Sequence, residues 1–386
     1  MNWVAWKMLN GDPVKYLGTV FGVGFGVLLI AQQCSIFVGI ILRTANPIAD
    51  VREAQIWVMD PYLQNADEIK PLSDSDLYRI RGVEGVDWAV KIYKGLARAK
   101  IETGNFRQVI LMGVDDQSLI GAPVKMIEGD IRDLKRPDAI VMDQYGYKYL
   151  WPNEPFQVGR EVEMNDRRAV IVGICDVSAP FQSFPVVFTR YSQAVQFVAS
   201  ERQQLSFVVA APRQGYQVDE VCRLINEQTR SIGEKSGLIA MPYREFVWIN
   251  IKYYLENTGI PVNFGITITL GFIVGTAIAG QTFYLFTIEN LKQFGALKAM
   301  GVTNWGIVGM ICLQASVVGV IGLSIGLGLT ALFFVATTRL LPDLRGLHLM
   351  WEIAGGTCLA VTLIICLASA LSLRKVLTLE PAVVFR

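Results

Sequence analysis

Four stretches of the 386-residue chain carry no Asp, Glu, Lys or Arg: Tyr16 to Leu42, Asn257 to Ile288, Ala299 to Thr338 and Ile353 to Leu373. Each is longer than the roughly 20 residues an α-helix needs to cross the hydrocarbon of a bilayer. The third is too long for one span, so its first residues are expected in a turn and its last in an exit segment. The apolar run of a cleaved leader is only about 7–15 residues, so the first stretch reads as an anchor that stays in place.

Between the first two apolar stretches the pattern changes period. Alternating apolar positions predict strands at Gln55 to Met59, Val86 to Ile101 and Phe106 to Val114, the last two joined by a turn at Gly104 and Asn105. A second pair, Gln157 to Met164 and Ala169 to Cys175, flanks Asn165 and Asp166, and further strands are expected at Ala139 to Met142, Val186 to Thr189 and Leu205 to Ala210. Ser73 with Asp76 resembles a capping box opening a helix from Asp74 to Ile80, and Val218, Val221, Cys222 and Ile225 form a helical stripe. A Pro-rich middle, with Pro123, Pro137, Pro152, Pro155, Pro180 and Pro185, points to a second lobe inserted within the first, and Tyr243 to Leu255 reads as a helical stalk.

The expected fold is membrane α-helical, with four transmembrane helices and a large α+β extracytoplasmic domain inserted between the first and second. The layout is an N-terminal segment 1–15, helix 1 at 16–42, the extracytoplasmic domain at 43–256 with its stalk at 243–256, and helix 2 at 262–288. A short segment at 289–303, helix 3 at 304–336, an outer loop at 337–351, helix 4 at 352–373 and a tail at 374–386 complete it.

Composition agrees: 52% of residues are hydrophobic, 18% are charged and the mean hydropathy is +0.38, more apolar than average usage. Charge then sets orientation. Lys7, Lys15, Lys292, Lys298, Arg374, Lys375 and Arg386 fall on one side, against Arg339 and Arg345 on the short loop before the last span. Positive residues favour the cytoplasmic side, which puts both termini in the cytoplasm and the large domain outside. From Thr44 to Glu256 there are 25 basic and 29 acidic residues, the balance of a mildly acidic soluble domain. A net charge of +1 gives no footprint for nucleic acid. Cys34, Cys312, Cys358 and Cys366 fall in spans and are expected as buried thiols. Cys175 and Cys222 lie where oxidation is chemically open, with unpaired core thiols the favoured reading.

Catalytic chemistry finds little to stand on. No G-x-x-x-x-G-K-[ST] loop occurs, so this chain is not expected to hydrolyse ATP. His348 is the sole histidine, which excludes a His-based metal cluster or a Ser-His-Asp arrangement within one chain. Asp115 with Asp116, or Glu161 with Glu163, could form an acid/base pair; a solvated strand face is the favoured reading. No catalytic residue, metal site or bound cofactor is assigned.

The spans carry another signal. Gly18, Gly22 and Gly26 recur every fourth residue, as do Gly271 with Gly275 and Gly322 with Gly326, a spacing that lines small residues along one face and lets helices approach closely. Gln32, Gln33, Gln281 and Gln314 are polar positions within the spans, read as interhelical hydrogen-bonding groups. No span holds the buried ion pair or chain of carboxylates of an ion-coupled carrier, so energy is expected from elsewhere.

The segment from Gln281 to Gly301 is the most informative. It reads as a helix leaving the membrane, with Glu289 facing Lys292 and a stop at Gly301. Leu291, Phe294, Leu297 and Met300 form an apolar stripe that needs a cover, either the membrane surface or a protein partner.

These residues resemble those of the MacB and FtsX type of permease, and most closely the DevC-like permeases of ABC exporters. The likeness is carried by Phe272-Ile-Val-Gly275, Gln281, Tyr284, the run Phe294-Gly-Ala-Leu-Lys-Ala-Met-Gly301, Gln314-Ala-Ser, and the ending Glu380-Pro-Ala-Val-Val-Phe-Arg386. Gln293 and Phe294 stand where that family carries an acidic residue and an aromatic. The resemblance implies a separate cytoplasmic ATPase that binds ATP and Mg, a second copy of the chain, a periplasmic membrane-fusion adaptor, and residence in the inner membrane in contact with lipids. It also implies mechanotransmission, in which ATPase closure moves the stalks. Glu289, Leu291, Lys292, Phe294, Gly295, Leu297, Lys298, Met300 and Gly301 would contact the ATPase, with Trp3 to Leu9 and the tail from Glu380. Export is the expected role. The alternative is an FtsX-like regulator of a periplasmic enzyme, or a lipoprotein-release component, using the same machinery.

Overall fold

The computed structural model describes the chain except residues 1, 12, 69, 103, 199–205, 231–236, 342–343 and 378–386. Its elements run α1 (Asn2–Asn10), α2 (Pro13–Arg43), α3 (Asn46–Ala49), β1 (Ile56–Met59), α4 (Asp74–Arg81), β2 (Val86–Lys100), β3 (Phe106–Val114) and β4 (Met126–Gly129). After a 3-10 turn at Ile131–Lys135 come β5 (Ala139–Asp143), α5 (Gln144–Leu150), β6 (Glu161–Met164), β7 (Arg167–Cys175), β8 (Val186–Arg190), α6 (Tyr191–Ala194) and β9 (Phe207–Pro212). Then follow α7 (Val218–Gln228), β10 (Ile239–Pro242), α8 (Tyr243–Asn257), α9 (Ile260–Glu289), α10 (Leu291–Ala299), α11 (Asn304–Leu340) and α12 (Trp351–Leu377). The chain divides into two compact bodies: residues 41–258, and residues 1–40 with 259–386.

Among the described residues the first body is built on a ten-stranded sheet in the order β10-β1-β9-β2-β3-β8-β5-β7-β4, with β6 pairing β2 and β7. The 15-residue β2 is its spine. Its first half pairs antiparallel with β9 and its second half with β3. The expected inserted lobe is corrected here. The Pro-rich middle supplies β4 to β8, and β8 lies parallel to β3 in the same sheet. Its buried residues, such as Val141 and Phe188, share one cluster with Trp57 and Phe207 from the other end of the sheet, and Ile140 and Val187 share a second with Val58 and Val208, so each cluster runs the length of the sheet.

Local signals act where the pattern places them. The Asp76 carboxylate accepts from the Ser73 backbone N at 2.9 Å and its Oγ at 2.7 Å, capping α4. The β2–β3 hairpin turns at Gly104, with a φ of +83°. β6 is shorter than the alternation from Gln157 predicts, because Gly159 takes a φ of +92° and donates its N–H to the Ile171 carbonyl, which interrupts the extended run. Leu205, expected to open β9, lies outside the described residues.

Among the described residues the second body holds four helices long and apolar enough to cross a membrane: Pro13–Arg43, Ile260–Glu289, Asn304–Leu340 and Trp351–Ala370. The long third apolar stretch resolves into a turn at residues 300–303 followed by one helix of 37 residues, about 55 Å at 1.5 Å per residue. The span cysteines depart from expectation. Cys312, Cys358 and Cys366 are exposed on the outside of this body and Cys34 is half-buried. The outward surface of a membrane bundle is as apolar as its interior, so hydrophobic context does not tell a thiol which way it points.

Candidate functional site

Helix contacts come first, because they position everything else. A methyl built on Gly26 would meet the Gly275 Cα at 3.1 Å, and one on Gly271 would meet the Leu29 Cβ at 3.2 Å, so α2 and α9 touch backbone to backbone. Gly22 packs under the Ile278 side chain of the same neighbour. The opposite side of α2 meets α11: a methyl on Gly322 would lie 2.8 Å from Val23, and one on Gly326 would lie 2.6 Å from the Gly24 carbonyl oxygen. Gly18 departs from the predicted stripe, with open space where its side chain would be. Two glycines that the four-residue spacing missed do similar work: Gly24 against Gly322, and Gly319 beneath Ile365 of α12.

The Gln314 amide, 2% exposed, donates to the Ala5 carbonyl at 2.9 Å and so fastens α1 onto α11. This is the interhelical bond expected of it. Gln281 is exposed on α9.

The segment after α9 is a separate short helix. Asn290 interrupts the α-helical run, and α10 begins at Leu291. Across this joint the Asn290 N–H still reaches the Phe286 carbonyl at 3.2 Å and the Phe294 N–H the Asn290 carbonyl at 3.0 Å, and the expected pairing with Lys292 is not what holds Glu289. Glu289 instead forms an ion pair with Lys15 at the start of α2. α10 ends as its sequence predicts: Gly301 takes a φ of +91°, its N–H reaches the Lys298 carbonyl at 3.0 Å, and the Val302 N–H reaches the Leu297 carbonyl at 3.1 Å. This pair of bonds is the Schellman closure that a glycine after the helix permits.

The apolar stripe already has a cover, and it belongs to this chain. Phe294 is fully buried against Ile307 and Ile311 of α11, with Met8, Leu291, Leu297 and Val302 packed around them. The expectation that lipid or a partner must cover the stripe is corrected for these residues. Gly295 is buried, and Leu291, Leu297 and Lys298 are half-buried. What α10 leaves open is Lys292, Gln293, Ala299 and Met300, continued by Gly301, Asn304 and Trp305. Met300 is 73% and Trp305 84% exposed. Trp3 and Trp6 of α1 are exposed as well, while the tail from Glu380 lies outside the described residues.

The carboxylates considered for catalysis have structural partners. Glu161 pairs with Arg168 and Glu163 with Lys100, so the two carboxylates do not share a site. Asp115 accepts from the Ser118 N–H at 2.9 Å, and Asp116 from the Ser192 N–H at 3.0 Å. Cys175 and Cys222 are buried in different clusters. Burial, with Asp219 and Glu245 nearby, pushes the Cys222 thiol up to about 12, away from reactivity. His348 is exposed. Among the described residues no group of three or more metal-ligating side chains occurs.

Comparison with known proteins agrees with this architecture. The MacB-like periplasmic core domain family matches residues 16–228, more than half of the chain, and the FtsX-like permease C-terminal family matches residues 265–381. The chain belongs to the MacB/FtsX family of ABC transporter permeases. An uncharacterized ABC transporter permease of Mycobacterium tuberculosis is 24% identical over 322 residues, 82% of this chain and 79% of that protein. One of Mycobacterium bovis is 32% identical over 115 residues, 29% of this chain and 31% of its own length. The solved periplasmic region of MacB from Actinobacillus actinomycetemcomitans covers 55% of this chain and 96% of its own, at 14% identity and a TM-score of 0.38. In this permease the first match covers most of α2 and of the sheet domain, and the second covers most of α9 together with α10 and its cover from α11.

Proposed function

We propose that this permease transmits the ATP-driven movement of a separate cytoplasmic ATPase to its sheet domain, and that the movement drives export of a substrate from the periplasm. α10 is the contact. The observation that carries this reading is a short helix fixed from behind by the fully buried Phe294 while Lys292, Gln293, Ala299 and Met300 stay open. A bracket packed this way passes on a push that a flexible loop would absorb. Both termini and α10 face the cytoplasm of the inner membrane, ATP and its magnesium ion bind the partner, and a second copy of the chain and a periplasmic adaptor complete the machine. Glu289 with Lys15 ties the bracket to α2, which leads into the sheet domain.

Because Leu297 belongs to the internal packing, the decisive substitutions are at exposed positions. Met300→Asp combined with Lys292→Glu should sharply reduce both the ATPase that copurifies from membranes and its stimulated rate, while insertion and thermal midpoint stay as in the parent. Unchanged copurification and rate would remove α10 from the contact.

A further inference from the structure

Within residues 41–258, three distant segments converge on a buried polar hub. Asn250 of α8 is fully buried. Its Oδ1 accepts from the Ala66 N–H at 2.8 Å and its Nδ2 donates to the Thr44 carbonyl at 2.7 Å. One turn further along α8, the Tyr254 hydroxyl donates to Asp67 Oδ2 at 2.6 Å. The other Asp67 oxygen is ion-paired with the Lys94 ammonium of β2, which also donates to the Ala66 carbonyl at 2.9 Å. Asn65 braces the loop by accepting from the Asp67 and Glu68 N–H groups at 2.9 and 3.1 Å. Lys94 is 7% exposed, and its own backbone N–H is bonded to the Ser206 hydroxyl just before β9.

Apolar packing would hold α8 at less cost, since a buried ion pair contributes little net stability over apolar residues of the same volume. Hydrogen bonds add register. A helix packed only by apolar contacts can slip by one residue, about 1.5 Å, and repack. A slip of that size, with the rotation of about 100° that one residue brings, carries the Asn250 and Tyr254 side chains away from their partners and breaks these bonds. The hub therefore joins the point where the chain enters this body, the helix through which it leaves, and the strand that pairs with β9, β3 and β6.

We propose that Asn250, Asp67 and Tyr254 are positioning residues that lock α8 in register with β2, so that displacement of the stalk moves the sheet as one lever. What displaces the stalk rests on the function proposed above. The lock itself does not.

The test uses the full chain in lipid nanodiscs, alone and with its copurified ATPase, followed by hydrogen exchange. In the chain alone, Asn250→Ala should speed exchange over residues 65–67 about tenfold, the equivalent of one such hydrogen bond. With the ATPase and a non-hydrolysable ATP analogue, the parent should change its exchange both at α10 and over β2. Tyr254→Phe, which keeps the ring against Phe181, and Asn250→Ala should keep their fold and the change at α10 but lose the change over β2. The lock is overturned if residues 65–67 exchange no faster in Asn250→Ala, or if both variants keep the response over β2. A parent that responds at α10 and not at β2 also overturns the lever. A parent that responds at neither place overturns the proposed function, and the lock is then judged on residues 65–67 alone.

Discussion

In the sheet domain the interior is filled with large side chains: Trp57, Tyr93, Tyr147, Phe207 and Phe246 are each no more than 2% exposed. Between the spans the tightest contacts come from glycines, with Gly26 against Gly275 and Gly326 against the backbone of Gly24. The difference follows from the solvent each body meets. Water drives apolar surface inward, so bulk is favoured in the sheet domain. Lipid tails are as apolar as leucine and provide no such drive, so the spans associate by close van der Waals contact, which small residues permit. A large side chain is therefore the vulnerable point in one body and a missing side chain in the other.

The strongest blow to this contrast is aimed at Trp57, whose ring lies 5.5 Å from Phe207 and 5.3 Å from Phe246. Trp57→Ala should cost about 3–5 kcal/mol, read as a lowered thermal midpoint of the sheet domain, whereas Trp57→Phe should recover most of the loss because the indole N–H has no partner. Gly26→Leu should come next, at about 1–3 kcal/mol for overpacking, measured by thermal unfolding in detergent micelles. There the obstacle is the Gly275 backbone, which cannot rotate away.

Legibility divides along the same line. The β2–β3 hairpin, the cap at Ser73 and the closure of α10 at Gly301 could be read because each is set by residues a few positions apart. The parallel pairing of β8 with β3 could not, since both strands read equally well as edges or centres of a sheet. The stripe of α10 was visible and its cover was not: Ile307 and Ile311 lie beyond a turn, and Met8 lies near the other end of the sequence. Spacing likewise marked Gly22 and Gly26 and passed over Gly24, because which face of a span meets a neighbour depends on helices far off in sequence. The hub at Asn250 was equally hidden, its partners Ala66 and Thr44 being 184 and 206 residues distant.

Acid should sharpen the contrast by acting on one body. Burial alone would raise the Asp67 carboxyl, but the Lys94 charge and the hydrogen bonds from Lys94 and Tyr254 outweigh it and hold Asp67 below the usual carboxylate range. A lowered folded pKa gives stability that is present above the ordinary value near 4 and lost as pH falls through the folded value. The sheet-domain midpoint should thus be insensitive to Asp67 above about pH 5 and decline in more acid solution. Asp67→Asn should flatten part of that decline, by on the order of 1 kcal/mol. An identical acid profile for parent and variant would remove Asp67 from the stability of the domain.

The smallest effect is expected at Gly18, and it separates pattern from contact. Gly18 shares the spacing of Gly22 and Gly26, yet a methyl built there would meet nothing within 4 Å among the described residues. Gly18→Leu should change the unfolding midpoint of the isolated chain in micelles by less than about 0.5 kcal/mol, against the larger loss at Gly26. A loss at Gly18 equal to that at Gly26 would mean that the added side chain costs the same with or without a backbone opposite, and the attribution of span stability to backbone approach would fail with it. A neutral Gly18 leaves the Gly26 to Gly275 approach as the cause, since the two substitutions add the same side chain to the same helix and differ only in what stands opposite.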